Sequence, residues 1–250
     1  MGSASAGRGG PATEIRGYFD DHTRFLGTSS TSADAGRLNL RHRELIERNK
    51  DVLAGTRVLD VASHDGRWCL PALDAGAAHV TGIEARPELV EHAEENLAAY
   101  GAKSRSYRFI TGDVFAVLAK ERLDVDVVQC FGFVYHTLRY PELFSRLRAL
   151  EPRYLLLDTR VEPGKDPYIR VLLNDSKAQA HAAADEFTEG TKTLVGHPTK
   201  RALRAMLGVY GFEVEHAVEW DEATKDAKPR TMRRYRVGTR VSWRCRWSPP

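Results

Sequence analysis

The chain has 250 residues, of which 42% are hydrophobic and 28% are charged. This balance is typical of a globular protein and excludes collagen-like and wholly disordered chains, while the length suits one α/β domain. The net charge is only +3, and no apolar run reaches the roughly 18 residues of a membrane-spanning helix. Cys69, Cys130 and Cys245 lack metal-like spacing, which predicts no metal site and no disulfide framework and favours a reducing, cytoplasmic location.

The N-terminal part of the chain predicts two accessory segments before the main domain. Residues 1–12 are rich in glycine and small residues and contain no apolar stretch, so we expect a disordered tail there. Residues 13–54 have a helical pattern over 35–52 and an aromatic cluster before it, which predicts an N-terminal helical lid or lead-in. We expect residues 55–250 to form one domain, with a substrate-shaping insertion at 162–197, where the periodic pattern breaks.

From residue 57 onward, short apolar runs alternate with segments of helical period. Between the runs, segments 87–100 and 141–150 each place their leucines on one helical face. Strand–helix alternation of this kind predicts crossover units, and therefore a mostly parallel sheet with helices on both faces. The apolar runs that predict its strands are 57–62, 79–85, 107–114, 125–133 and 154–161.

The C-terminal segment predicts an antiparallel hairpin that completes this sheet. From Arg234 to Trp247, apolar residues alternate with a row made largely of arginines, which predicts one long strand with an apolar face and an arginine face. Segment 212–220 has the composition of its partner strand. Before it, Pro198 predicts the start of a helix.

Three acidic residues follow successive predicted strands: Asp60, Glu84 and Asp113. Because the carboxyl ends of parallel strands meet at one edge of a sheet, where ligands bind, we expect these acids to converge. A carboxylate at the position of Glu84 can accept hydrogen bonds from both hydroxyls of a ribose. Structural alternatives stay open, because Asp60 and Asp113 are residue types that cap helices and Glu84 could be an ordinary exposed carboxylate.

These features resemble the class I S-adenosylmethionine-dependent methyltransferases, from about residue 55 to the C-terminus. The resemblance implies a Rossmann-like α/β fold, with a seven-stranded, mostly parallel sheet that ends in an antiparallel hairpin, and S-adenosylmethionine as the cofactor. It implies that Asp60 and the turn after it hold the methionine part, Glu84 the ribose and Asp113 the adenine. The implied cofactor-binding residues are Asp60, Ala62, Ser63, His64, Gly66, Glu84, Ala85, Asp113, Val114, Cys130 and Phe131.

The turn at 62–66 departs from the family pattern. That pattern is Gly-x-Gly-x-Gly, whereas this chain has Ala62 and His64 in place of the first two glycines and keeps only Gly66. Glycine permits positive φ and close approach of a ligand, so the turn matches the family less closely than the acids do. A dehydrogenase is the nearest alternative, but a pyrophosphate needs closer backbone contact than a methionine tail and is disfavoured further by the missing glycines.

The segment after the fourth predicted strand supplies candidate catalytic residues. Gly132-Phe133-Val134-Tyr135-His136 resembles a motif of several small-molecule methyltransferases and is also similar to the tRNA wobble-uridine carboxymethyltransferase family. Because an imidazole can take the proton of a hydroxyl, we predict His136 as the base and Tyr135 as its neighbour in the site. Alternatively, the two rings pack under the cofactor. Candidate substrate-binding residues, of which the arginines could hold an acidic group, are Arg160, Tyr168, Arg170 and His181.

The sequence thus predicts an S-adenosylmethionine-dependent methyltransferase that acts on a small molecule, most simply by O-methylation. A first alternative is an enzyme that modifies RNA, such as a tRNA base, using the C-terminal arginine row to bind phosphates. It is less favoured because no exposed aromatic residues interleave that row. A second alternative is a non-catalytic binding protein of the same fold. We expect a small-molecule partner and no membrane contact, and the oligomeric state stays open.

Overall fold

The computed structural model describes residues 16–28, 34–175, 191–225 and 230–249, so the predicted tail at 1–12 lies outside the described residues. The strands are β1 (Arg57–Val61), β2 (His79–Glu84), β3 (Tyr107–Thr111), β4 (Val127–Phe131), β5 (Tyr154–Arg160), β6 (Ile169–Asp175), β7 (Lys192–Pro198), β8 (Phe212–Ala217) and β9 (Arg240–Trp247). The helices are α1 (Tyr18–Asp21), α2 (Arg24–Gly27), α3 (Ala35–Leu45), α4 (Lys50–Leu53), α5 (Cys69–Asp74), α6 (Pro87–Ala99), α7 (Val114–Lys120), α8 (Tyr140–Arg148), α9 (Lys200–Val209), α10 (Trp220–Ala223) and α11 (Arg233–Arg236). No helix in these ranges is long and apolar enough to cross a membrane.

Seven strands form one sheet in the order β3-β2-β1-β4-β5-β9-β8. The first five run parallel to one another, and β9 is antiparallel to both β5 and β8. The predicted fold class, a mostly parallel seven-stranded sheet closed by an antiparallel hairpin, is therefore confirmed. Each of the five predicted parallel strands is present, with its ends shifted by at most three residues.

Helices cover both faces of the sheet, which explains why the central strands are almost continuously apolar. Every residue of β4 is buried, as are four of the five residues of β1. One core cluster packs the sheet against α7, α8 and α9, and a second packs it against α3, α5 and α6. Parallel strands buried on both faces need apolar side chains at successive positions, so the sequence pattern follows from the architecture.

The described part of the N-terminal segment packs into the second core cluster. Phe19 and Phe25 are fully buried, and the ring of Phe19 lies edge-on to Trp68 with centroids 5.7 Å apart. Asp34 accepts a hydrogen bond from the backbone N–H of Arg37 and thereby caps α3. This packing makes the segment a lead-in to the sheet, and a lid function for it stays a prediction.

The C-terminal strand is shorter than the alternating pattern predicts. Residues 230–232 form a 3₁₀ turn and 233–236 form α11, so the prediction of one strand from Arg234 to Trp247 is wrong. Tyr235 is buried against Trp220, with ring centroids 4.3 Å apart, and Gly238 adopts a positive φ of 71° that turns the chain into β9. The alternation before Gly238 is therefore coincidental, because tertiary contacts of Tyr235 favour a helical turn.

The insertion between β5 and α9 contains a separate two-stranded antiparallel sheet, β6–β7. Tyr140 anchors it by donating a hydrogen bond of 2.5 Å to the carbonyl of Gly196 in β7. Pro198 ends β7 and does not start the next helix, contrary to the prediction. Thr199 caps α9 instead, because its hydroxyl can accept the N–H of Ala202, whereas proline has no such acceptor side chain.

Candidate active site

The turn after β1 has left-handed backbone at three alternate positions. Ala62, His64 and Gly66 have φ values of 57°, 55° and 77°. A non-glycine residue pays about 1–2 kcal/mol for this conformation, whereas glycine adopts it freely. The turn therefore has the backbone shape that a Gly-x-Gly-x-Gly pattern would give, although two of its three glycines are replaced.

Packing behind the turn explains why Gly66 is retained. A Cβ at this position would lie 2.7 Å from Cδ1 of Leu97 and 3.2 Å from Cβ of Ala93, both on α6. Next to it, the buried carboxylate of Asp65 accepts two hydrogen bonds of 2.7 Å from the guanidinium of Arg67. The His64 ring contacts the same carboxylate, with Nδ1 3.2 Å from Oδ1. Side chains of the turn itself therefore hold its shape.

Asp60 is a buried carboxyl group at the end of β1. It is 1% exposed, and its Oδ2 accepts a hydrogen bond of 3.2 Å from the thiol of Cys69. Burial raises the pKa of Asp60 to about 7. A cation close to this carboxyl group would favour its ionised form, which suits the ammonium group of a bound amino acid. Asp60 does not cap α5, whose N-cap residue is Trp68.

Glu84 joins the end of β2 to the β1 turn. Its carboxylate is 5% exposed, Oε2 accepts the backbone N–H of His64 at 3.0 Å, and Oε1 accepts the backbone N–H and Nε of Arg86 at 3.2 and 3.3 Å. It is therefore not an ordinary exposed carboxylate. A carboxylate has about four acceptor positions, so a ribose diol would fit if the Arg86 side chain moved from Oε1. Ala85, between these two residues, is half-buried.

The other predicted cofactor residues have structural partners. Asp113 caps α7 by accepting the N–H of Ala116 at 3.0 Å, so the capping alternative is realised and an adenine contact stays a prediction. Val114 and Cys130 are buried in the first core cluster, so any ligand contact would use their backbone atoms. Phe131 lies edge-on to Trp68, with centroids 5.7 Å apart. The buried Ser63 donates its backbone N–H to the carbonyl of Ile83.

Tyr135 and His136 lie in a 3₁₀ turn at the carboxyl end of β4, where their ring centroids are 4.2 Å apart. Tyr135 is buried, whereas His136 is half-buried. The guanidiniums of Arg160 and Arg240 lie 4.5 and 5.4 Å from the centre of the Tyr135 ring. Burial raises the pKa of the Tyr135 phenol, but these two cations outweigh it and hold that pKa below its ordinary value.

A buried charge network is centred on Asp158 in β5, the strand next to β4. Its Oδ1 accepts Nε of Arg240 at 2.8 Å and Nη2 of Arg41 at 3.1 Å, and its Oδ2 accepts the hydroxyl of Ser242 at 2.7 Å. Burial alone would raise the pKa of Asp158, but the two arginines lower it to about 2. Sequence reasoning missed this network, although an aspartate inside the apolar run of β5 is a signal of it.

The predicted arginine face of the last strand is largely not available to a ligand. Arg240 is 4% exposed and bound to Asp158, while Arg244 pairs with Asp51 and Glu215. Of the three arginines of β9, Arg246 is exposed, so the continuous arginine row is interrupted by the buried Arg240 and the paired Arg244.

A cavity of about 580 Å³ opens beside Tyr135, at the end of β5. Arg160 and His197 form the part of its wall that touches Tyr135, with the His197 and Tyr135 ring centroids 5.9 Å apart. Nδ1 of His197 lies 3.2 Å from Oε1 of Glu162, so a carboxylate orients this imidazole. The polar residues of the wall include Arg160, Glu162, His197, Arg230, Arg233 and Arg234.

Of the predicted substrate residues that the structure describes, only Arg160 lies in this cavity wall. Tyr168 donates its hydroxyl to the carbonyl of Pro163 at 2.7 Å, and Arg170 is exposed and pairs with Glu162 at 3.5 Å. His181 lies outside the described residues. In the part of the chain that is described, no group of three or more His, Cys, Asp or Glu is arranged to hold a metal ion.

Parts of this chain are similar to known protein sequences. A family model described as "Methyltransferase domain" matches residues 58–152. The chain is 26% identical over 166 residues to a rice (Oryza sativa) protein named "Probable histone-arginine methyltransferase CARM1", covering 64% of this chain and 31% of that protein. It is 30% identical over 116 residues to the uncharacterized Rv1403c of Mycobacterium tuberculosis, covering 44% of this chain and 42% of that protein. The matches thus span less than half of these relatives.

Solved structures share the fold. Magnesium protoporphyrin IX methyltransferase (ChlM) from Synechocystis PCC 6803 with bound S-adenosylmethionine has a TM-score of 0.56 and 17% identity, covering 92% of this chain and 91% of that chain. The N-terminal domain of EvdMO1 with bound S-adenosylhomocysteine has a TM-score of 0.60 and 16% identity, covering 95% and 100%. This chain therefore shares its fold with S-adenosylmethionine-dependent methyltransferases of known structure, and over residues 58–152 it matches a methyltransferase-domain model.

Proposed function

We propose that this chain transfers a methyl group from S-adenosylmethionine to an oxygen atom of a small-molecule acceptor. The observation that carries the proposal is the cavity at the carboxyl end of β5, two of whose wall residues, Arg160 and His197, contact Tyr135. In sheets of this topology ligands bind at the carboxyl ends of the strands. A volume of about 580 Å³ is that of a pocket for one small organic ligand.

The residues around the β1 turn fit the cofactor. When bound, S-adenosylmethionine supplies an electrophilic methyl group on a sulfonium. Glu84 would accept the ribose hydroxyls after release of the Arg86 side chain, and the left-handed turn at 62–66 would hold the methionine part of the cofactor beside Asp60. Asp60 would face the ammonium group, which favours its ionised form despite its burial.

His136 would take the proton of the acceptor hydroxyl. Its ring lies against Tyr135, whose own ring is fixed by the guanidiniums of Arg160 and Arg240. A fixed tyrosine beside a half-buried imidazole gives the acceptor a rigid surface on which to align its oxygen, and alignment is the main requirement of methyl transfer. Proton removal then adds to that effect.

Two alternatives have less support. RNA methylation is favoured by a structural likeness, at a TM-score of 0.53 and 14% identity, to PH1948 of Pyrococcus horikoshii, which carries a provisional RNA methyltransferase assignment. The buried Arg240 and the paired Arg244 count against it, because they remove the basic row that RNA would need. A non-catalytic binding protein would retain the cofactor site without turnover, so product formation distinguishes it.

Glu84→Gln tests the cofactor site. The variant keeps the shape of the side chain but loses the charge that strengthens hydrogen bonds to ribose, so S-adenosylhomocysteine should bind roughly tenfold to hundredfold more weakly in titration calorimetry. Glu88→Gln, on the exposed first turn of α6, is the matched control and should bind like the wild type. Equal affinity in all three proteins would contradict the ribose assignment, and no binding to the wild type would refute the proposed function.

A further inference from the structure

The cavity beside Tyr135 concentrates positive charge. Four arginines line it, namely Arg160 at the end of β5 and Arg230, Arg233 and Arg234 from the 3₁₀ turn and α11. Among the described residues of this wall the acid is Glu162, which is already engaged by His197 and Arg170. The described part of the wall therefore carries a net positive charge of several units that Glu162 does not offset.

These four guanidiniums have no carboxylate partner among the residues that the structure describes. Nε of Arg160 is buried and makes no hydrogen bond there. Burial, together with the nearby guanidiniums of Arg234, Arg240 and Arg37, lowers the pKa of Arg160 below its ordinary value. A half-buried cation without a counter-charge is costly, and an anion that accepts several hydrogen bonds is the ligand that offsets the cost.

We propose that this cavity binds the methyl acceptor through an anionic group, a carboxylate or a phosphate, with Arg160 as its innermost contact. The inference rests on the proposed function, because it assigns the substrate class of that same site. A guanidinium presents a planar pair of N–H groups that matches the two oxygens of such an anion. Arg230, Arg233 and Arg234 are exposed at the outer wall and would attract the anion and hold its remaining oxygens.

The position of Arg160 also orients the acceptor. Its guanidinium lies 4.5 Å from the centre of the Tyr135 ring, and the Tyr135 ring lies 4.2 Å from that of His136. An anion bound to Arg160 would hold a small acceptor at the part of the wall that contacts Tyr135 and, through the Tyr135 ring, His136. A cavity of about 580 Å³ suits one small anion better than a nucleic acid strand, which needs an extended basic groove.

The test uses inorganic phosphate and benzoate as probes, in NMR titrations of the full chain at constant ionic strength. Wild type should bind both anions and not the neutral analogue benzamide. Arg160→Gln should weaken binding of both anions by about tenfold, the effect of losing one charge-assisted hydrogen bond. Arg160→Lys, which keeps the charge but not the planar fork, should fall between wild type and Arg160→Gln. Arg122→Gln, an exposed arginine in the loop after α7, is the control and should bind as wild type does.

Arg234→Gln provides a second variant at an exposed position, where the substitution leaves the core intact. It should weaken anion binding severalfold, since it removes one outer charge. The inference would be overturned if Arg160→Gln and Arg234→Gln both bound phosphate and benzoate as tightly as the wild type. It would also be overturned if the wild type bound neither anion. Tighter binding of a 20-nucleotide RNA than of either probe, with steep salt dependence, would overturn it in favour of nucleic acid.

Binding of S-adenosylhomocysteine, measured on the same protein samples, separates the two proposals. The arginine variants should retain wild-type affinity for this nucleoside, because none of the substituted residues lies at the β1 turn or at Glu84. Nucleoside binding without anion binding would refute the acceptor assignment alone. Failure of the wild type to bind the nucleoside would refute the proposed function itself.

Discussion

Asp158→Asn should lower the free energy of unfolding by about 3–5 kcal/mol, the usual cost of breaking a buried ion pair by removing one partner. The Asp158 carboxylate is fully buried and balances Arg41 and Arg240, which are only 5% and 4% exposed. Asparagine keeps the size of the side chain and one acceptor oxygen. The expected loss therefore comes from the two guanidiniums left without a counter-charge, with little change in packing.

Urea unfolding at pH 7, followed by circular dichroism, measures this loss. Asp126→Asn is the matched control, because Asp126 pairs at 3.1 Å with an Arg57 side chain that is 44% exposed. An exposed pair contributes at most about 1 kcal/mol, so the control should change stability little. Equal losses in the two variants would refute the reasoning, because they would mean that burial does not decide the value of an ion pair in this chain.

The same network predicts a pH dependence of stability. Folding lowers the pKa of Asp158 from an ordinary 3.8 to about 2, so the folded state favours the ionised form. The resulting stabilisation, on the order of 2 kcal/mol, should be complete above about pH 4 and be lost as the pH falls toward 2. Asp158→Asn should lose this part of the acid transition, and an unchanged acid profile in the variant would contradict the assignment.

Two further predictions concern the turn and the acceptor site. His136→Ala should lower kcat by about a hundredfold or more while leaving S-adenosylhomocysteine affinity intact, as expected for a general base. The kcat of His197→Ala is measured for comparison. If His197→Ala loses turnover and His136→Ala does not, the base is His197. Ala62→Gly should raise the free energy of unfolding by roughly 0.5–1 kcal/mol in urea titrations, because strain at φ 57° exceeds the added entropy of unfolded glycine. Destabilisation would contradict a left-handed turn at this position.

The sequence predicted the sheet well because its signals there are local. Strands buried on both faces require uninterrupted apolar runs, and the covering helices require apolar residues at helical spacing, so each element can be recognised without its neighbours. The alternation from Arg234 onward gave a wrong prediction for the opposite reason. There Tyr235 packs against Trp220, and this distant contact decides between helix and strand.

The turn at 62–66 shows a second way in which residue types mislead. Ala62 and His64 obscured the glycine pattern, yet the backbone at both positions is left-handed. Backbone N–H groups of the turn hold it there by donating to the Glu84 carboxylate and the Ile83 carbonyl. Asp113 shows the opposite case. It follows β3 as the sequence predicts, but in the structure its carboxylate caps α7. A residue type indicates a chemistry, but only its neighbours fix which partner it takes.

Local pattern therefore defined the strands, the main helices and the fold class. Tertiary structure alone decided the Asp158 charge network and the cavity. Asp158 meets Arg41 and Arg240 across 117 and 82 residues of chain, and the cavity combines the end of β5 with His197 and the turn before α11. Sequence periodicity does not predict such contacts, because buried charges are paired by the packing of distant elements and not by spacing along the chain.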